Sequence, residues 1–198
     1  DDRNVYRIYA GSNNSDGYIN TVLCLDKYGK FPAEDSSTDR YTSLGQATQN
    51  VLTTIKTTKN GSKTNLTASD AQKIIWLMNN AILPEDSSQL KDVKLSKILS
   101  EVIASTSTTQ NPLTVDYVKS ILTDDDLVFA LQATIWSITN PGQTPVYQGT
   151  ANGTTYNALV GNDVINNRGK QGTYINLIIN YYKNNYDGRN GNIVLSSK

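Results

Sequence analysis

Thr123-Asp-Asp-Asp-Leu-Val-Phe-Ala-Leu-Gln-Ala-Thr-Ile-Trp-Ser-Ile-Thr-Asn-Pro-Gly142 carries the strongest helix signal in the chain. Thr123 is an N-cap residue, and the three aspartates behind it complement the positive end of the helix dipole. Asn140-Pro-Gly142 stops the element, so a helix is predicted between Thr123 and Asn140. Gln132 stands in its middle, too far from the cap for any capping role. Val128 and Trp136, four residues to either side, share its face. A neutral carboxamide between apolar groups is partly buried and needs a partner, the bland choice being a nearby backbone group.

Outward from this helix the middle of the chain is helical. Helices are predicted over Thr42 to Lys56, Ser69 to Asn80, Leu90 to Ala104, and, shorter, Val115 to Leu122. Ser69 and Gln72 have capping-box spacing, and Ala71, Ile74, Ile75 and Met78 make one stripe. Val93, Leu95, Ile98, Leu99 and Val102 make another. Tyr174 to Asn185 closes the set with Ile175, Ile178, Ile179 and Tyr182.

The ends of the chain have strand character: Val5 to Ala10, Tyr18 to Asp26 and Asn192 to Ser197. Lys27 to Tyr41 and Ser105 to Pro112 are loops. Gln143 to Lys170 is rich in Gly, Asn and Thr and shows no clear element. Strands at both ends with helices between predict an α+β fold. The N- and C-terminal strands would make a β-domain that carries a large helical insertion. A single domain over 1–198 is expected, the β part at 1–41 and parts of 143–198, the helical part at 42–140 plus 174–185.

Eighteen Lys+Arg balance eighteen Asp+Glu, which gives none of the basic stripe that nucleic-acid binding requires. No run approaches the ~20 apolar residues of a membrane span, so no membrane insertion is expected. The first residues lack the basic and apolar regions of a signal peptide, and the chain reads as a mature or excised soluble domain. Low charge with abundant Asn, Ser, Thr and Tyr is common in secreted bacterial surface proteins.

The chain has one cysteine, Cys24, and no histidine. A lone cysteine makes no internal disulfide, and the usual base for a Cys or Ser nucleophile is missing. The bland reading of Cys24 is a small buried apolar residue. One covalent fate remains inside a protein: attack on a glutamine carboxamide, with loss of ammonia, to leave a thioester. Two glutamines are candidates, because Ala71-Gln-Lys-Ile-Ile-Trp76 echoes Leu131-Gln-Ala-Thr-Ile-Trp136. The capping box explains Gln72, and nothing comparable explains Gln132.

Leu23-Cys24-Leu25-Asp26 followed by Leu131-Gln132-Ala133-Thr134-Ile135-Trp136 resembles the two signatures of the thioester domains of Gram-positive surface adhesins. The second signature usually reads Thr-Gln-x-Ala-Ile-Trp, so this chain has Leu131 for the threonine and Thr134 for the alanine. The resemblance spans nearly the whole chain. It implies a β-sandwich or barrel-like part, built from the N- and C-terminal strands, with the large helical insertion packed against it and a Cys24–Gln132 thioester linking the two. The whole would be a secreted, cell-wall-anchored protein of which this is one monomeric domain. A lysine amine of a host-surface or extracellular-matrix protein would attack the glutamine carbonyl. Such attachment is single-use adhesion and not enzymatic turnover. Tyr18, Asp26, Val128 and Trp136 are candidates to shape the pocket, with Asp26 on the Cys24 side raising the thiol pKa.

No cofactor or metal is expected. Asp124 to Asp126 read as helix capping, and Asn184 to Asn192 lacks the closing glutamate of a calcium loop. Two rival functions are a non-covalent protein- or glycan-binding module with a merely buried cysteine, and a cysteine hydrolase or transglutaminase. The second is disfavoured without histidine.

Overall fold

The computed structural model describes residues 6–9, 18–26, 28, 46–106, 113–141, 148–151, 154–157 and 170–187. In chain order they form β1 (Tyr6–Tyr9), β2 (Tyr18–Val22), α1 (Gln49–Leu52), β3 (Lys56–Lys59), β4 (Ser62–Asn65) and α2 (Ala68–Asn80). Then come α3 (Ser88–Thr106), α4 (Val115–Ile121), α5 (Asp124–Thr139), β5 (Gln148–Ala151), β6 (Thr154–Asn157) and α6 (Lys170–Asn185).

Thr123 caps α5 with a complete capping box. Its hydroxyl accepts from the Asp126 N–H (3.2 Å), while the Asp126 carboxylate accepts from the Thr123 N–H and hydroxyl, both at 2.9 Å. Past the box almost every residue from Leu127 to Thr139 is buried, which is the pattern of a helix enclosed on all sides. α5 packs chiefly on α6 and also on α2 and β3, and so forms the centre of the molecule. Ile175, Ile178, Ile179 and Tyr182 face the core from α6, joined by Tyr174 and Tyr181. The Tyr182 hydroxyl accepts from the Ile82 N–H (3.0 Å) and ties α6 to the α2–α3 connection.

The expected sandwich or barrel is not formed. Among the described residues the strands make three separate antiparallel hairpins, β1–β2, β3–β4 and β5–β6, and the fold is mostly helical. Each strand finds its partner across a local connection. The core is supplied by helix faces, and β4 is exposed along its length, with no apolar side to lay on a second sheet. The strand expected over 192–197 lies outside the described residues, as do all but residue 28 of the loop predicted over 27–41 and residues 107–112 of the loop predicted over 105–112, whose first two residues belong to α3.

Boundaries moved where capping chemistry was misread. Thr67, not Ser69, caps α2, and its box closes on Asp70, not Gln72. Met78 and Val93 point outward, while Trp76 and Leu77 are buried instead on α2. Of the helix predicted over Thr42 to Lys56, the described residues 46–56 keep only the single turn of α1. The β3–β4 hairpin begins at Lys56 and turns on Asn60-Gly61 with φ of 49° and 79°. Two successive positive φ angles make the type I′ turn that Asn-Gly favours, because its twist matches that of the flanking strands. Removing the cap in Thr123→Ala leaves a buried Asp126 with fewer donors. The variant is expected to lose about 1–2 kcal/mol, to be read in a denaturant titration.

Candidate functional site: a cysteine and a glutamine in register

Cys24 lies two residues beyond β2, in a segment held down by its neighbours. Leu23 and Leu25, on either side, pack against the core. From the opposite direction α5 presents Gln132, which is 4% exposed and so must find polar partners within the protein. It finds them on the Cys24 backbone. The Cys24 N–H donates to Gln132 Oε1 at 2.7 Å, and Gln132 Nε2 donates to the Cys24 carbonyl at 2.8 Å, across 108 positions of sequence. The carboxamide thus pairs with one residue as a strand would. Both bonds are short and well matched.

Burial pushes the Cys24 thiol above its ordinary pKa. A backbone hydrogen bond from Asp26 and the Trp136 indole act in the opposite direction, the Asp26 charge adds to the rise, and Lys63 lowers it; the thiol itself donates to the Asp26 carbonyl at 3.1 Å. The Trp136 N–H has no formed hydrogen bond, so its influence is that of a dipole near the sulfur. Val128 is buried one turn from Gln132 and helps keep that face dry. Tyr18 opens β2 opposite Tyr9, and its side chain is outside those described.

Asp26 is the hub of a second set of contacts. Its carboxylate accepts from the Tyr28 N–H (3.1 Å), the Thr58 hydroxyl (3.1 Å), Asn140 Nδ2 (2.9 Å) and the Lys63 ammonium. Asn140, the C-cap of α5, also donates to the Thr58 carbonyl (2.9 Å), and the Thr57 hydroxyl donates to the Thr139 carbonyl (2.7 Å). The Cys24 segment, the β3–β4 hairpin and the end of α5 are therefore clamped together. Sequence reading saw Asn140 only as a helix stop and missed Thr58 and Lys63. The Asn60-Gly61 turn was the one signal that could have placed those two residues on a hairpin.

Partial burial alone would raise the Asp26 carboxyl. The bonds from Lys63, Asn140, Tyr28 and Thr58 outweigh it and hold the group below its ordinary value of 3.8. Asp70, bound by Lys59 and the Thr67 cap, is lowered in the same way against its own burial. A carboxyl depressed in the folded state contributes stability above its unfolded pKa and loses it as pH falls through the folded value. Melting temperature should thus hold above about pH 4 and drop below it, and Asp26→Asn should flatten that drop.

Gln72 does not approach this site. It is exposed on α2 and donates to Gln49 Oε1 at 3.3 Å. Thr134, where the adhesin signature has alanine, is fully buried, and its hydroxyl donates to the Ala130 carbonyl (2.8 Å). Leu131 sits in the core. Asp124 of the acidic cap pairs with Lys91 at 2.9 Å. Among the described residues no three Cys, Asp or Glu side chains are grouped to hold a metal, and no helix is long and apolar enough to cross a membrane. A groove of about 290 Å³ between α2 and the end of α6, lined by residues including Gln72, Lys73, Trp76 and Tyr186, shares no residue with the Cys24–Gln132 pair.

No family model, curated protein or solved structure matches this chain.

Proposed function

We propose that the chain is a covalent surface-adhesion module whose warhead is a Cys24–Gln132 thioester. The observation that carries the reading is the paired hydrogen bonding of the Gln132 carboxamide to the Cys24 backbone. It is supported by the resemblance of the two flanking motifs to adhesin thioester domains. In forming the bond, Sγ attacks Cδ of Gln132, the C–N bond breaks, and ammonia leaves with the thiol proton. An external amine then attacks the same carbon. The C–S bond breaks, the amine's proton passes to sulfur, and Gln132 is left as a secondary amide of the target.

The geometry suits both steps. The Cys24 N–H sits on Gln132 Oε1, where negative charge develops, and a single such donor is worth about 10²–10³ in rate in acyl-transfer sites. The Asp26 carboxylate is occupied by four donors and is poorly placed to act as a base. Proximity imposed by the clamp carries the reaction instead. Because the product stays attached, the protein captures once and does not turn over. A lysine of a host-surface or matrix protein is the proposed target, and a secreted, cell-surface location follows from that role.

Intact mass tests the proposal. The mature chain should weigh one ammonia less than its sequence and should take up one methylamine per chain, exposing one thiol. A full-weight chain inert to methylamine would overturn the reading. That result would favour non-covalent binding, for which the α2–α6 groove lined by Gln72, Lys73, Trp76 and Tyr186 is a candidate surface.

A further inference from the structure

The clamp around Asp26 has a feature that positioning alone does not require. An armed thioester reacts with any amine that reaches it, and the protein carries its own amine beside the site. Lys63 stands on β4 with its side chain half exposed, and its ammonium is paired with the Asp26 carboxylate, two residues from Cys24. Its charge is felt at the Cys24 sulfur. The β3–β4 hairpin that carries it is fixed to the end of α5 through Thr57, Thr58 and Asn140, so Lys63 does not drift away from the helix that holds Gln132.

We propose that Asp26 is a specificity-determining residue that reserves the thioester for external amines by holding the Lys63 side chain in an ion pair. This inference rests on the thioester reading. Held in that pair, the Lys63 stem is drawn toward the carboxylate and is not free to turn onto Gln132. Released, Lys63 attacks Cδ of Gln132. An Nζ–Cδ bond forms, the C–S bond breaks, the amine's proton passes to sulfur, and an internal Lys63–Gln132 isopeptide remains. The product is an amide in place of a thioester, so the discharge does not reverse. The arrangement explains why one carboxylate, set beside a thiol whose ionisation it opposes, collects donors from three separate segments.

The experiment compares wild type, Asp26→Asn, Asp26→Glu, Lys63→Arg and the double variant Asp26→Asn/Lys63→Arg by intact mass, thiol titration and methylamine uptake. Mass and thiol are read on chains denatured without methylamine, and uptake is read on parallel samples exposed to methylamine while native. Wild type, Lys63→Arg and Asp26→Glu should each be one ammonia light, with the thiol masked and methylamine taken up. Asp26→Asn should also be one ammonia light, yet show one free thiol, lose at least tenfold in methylamine uptake and yield a cross-linked peptide joining Lys63 to Gln132. The double variant should regain a masked thiol and methylamine uptake, which a merely structural role of Asp26 would not give.

Asp26→Asn with a masked, methylamine-reactive thioester would overturn the inference. So would Asp26→Asn at full sequence mass, because Asp26 would then serve formation of the bond and not its protection. Wild type at full mass is a different failure and falls on the thioester reading itself.

Discussion

Cys24→Ala and Gln132→Ala are each expected to abolish amine capture completely, whereas Gln72→Ala leaves it at the wild-type level. The contrast is sharp because the two glutamines occupy similar sequence settings and opposite physical ones. Gln132 is enclosed and pairs with the Cys24 backbone, while Gln72 is exposed and meets only Gln49. Cys24→Ala removes the nucleophile while leaving the backbone groups that hold the carboxamide. Gln132→Ala removes the acyl carbon and also strips the oxygen partner from the Cys24 N–H. That loss is expected to cost a further 1–3 kcal/mol, the usual penalty for a buried polar group left unpaired. Labelling with a radioactive or fluorescent primary amine on denaturing gels reads all three variants together. Capture that persists in Cys24→Ala would place the chemistry elsewhere.

The second large effect is on stability. A bond between positions 24 and 132 closes a loop of about 100 residues, for which the chain-entropy estimate reaches ~4.7 kcal/mol. Ring strain and residual structure in the unfolded chain reduce it. Methylamine isolates this contribution unusually well. The N-methyl amide it leaves on Gln132 keeps an oxygen for the Cys24 N–H and restores one hydrogen for the Cys24 carbonyl, so the local pairing is available while the covalent tether is gone. Even ~2 kcal/mol of tether corresponds to a melting point lower by ~4–8 °C in a domain of this size. Cys24→Ala should melt near the methylamine-treated form. Coincident midpoints for treated and untreated protein would mean that the tether carries no stability.

The parts of the fold that were legible are those written in local chemistry. α5 announced itself through Thr123, the aspartates behind it and the Asn-Pro-Gly stop, and α6 through its isoleucine stripe. The β3–β4 hairpin was not legible, because Lys56 to Asn65 is polar throughout and offers no apolar alternation. Its turn was written in Asn60-Gly61 all the same. Strand character at the two ends suggested a β-domain and the resemblance a sandwich, but strand character does not say which strand pairs with which. Here each strand turns back on its neighbour, and the helices keep the core.

The meeting of Cys24 and Gln132 has no local signature at all. No periodicity connects residues 108 positions apart. Resemblance brought the two motifs together on the page, and the chain's own contacts bring the two residues together in space. Asn140 shows the same limit from the other side. Its helix-stopping role is local and readable, but its amide bridges Asp26 and Thr58, which only the folded arrangement could disclose.

The enclosure of α5 has a mechanical consequence. Under the proposed reaction a captured partner hangs from Gln132, so traction on it enters at the helix with the fewest exposed residues. From there force spreads into α6, α2 and the hairpin locked on through Thr57 and Asn140. Cleavage of the C–S bond takes the covalent link to Cys24 out of that load path in the same step. The segment that arms the site is then held by the Asp26 contacts and the packing of Leu23 and Leu25, while the anchor, seated in the core, keeps its grip.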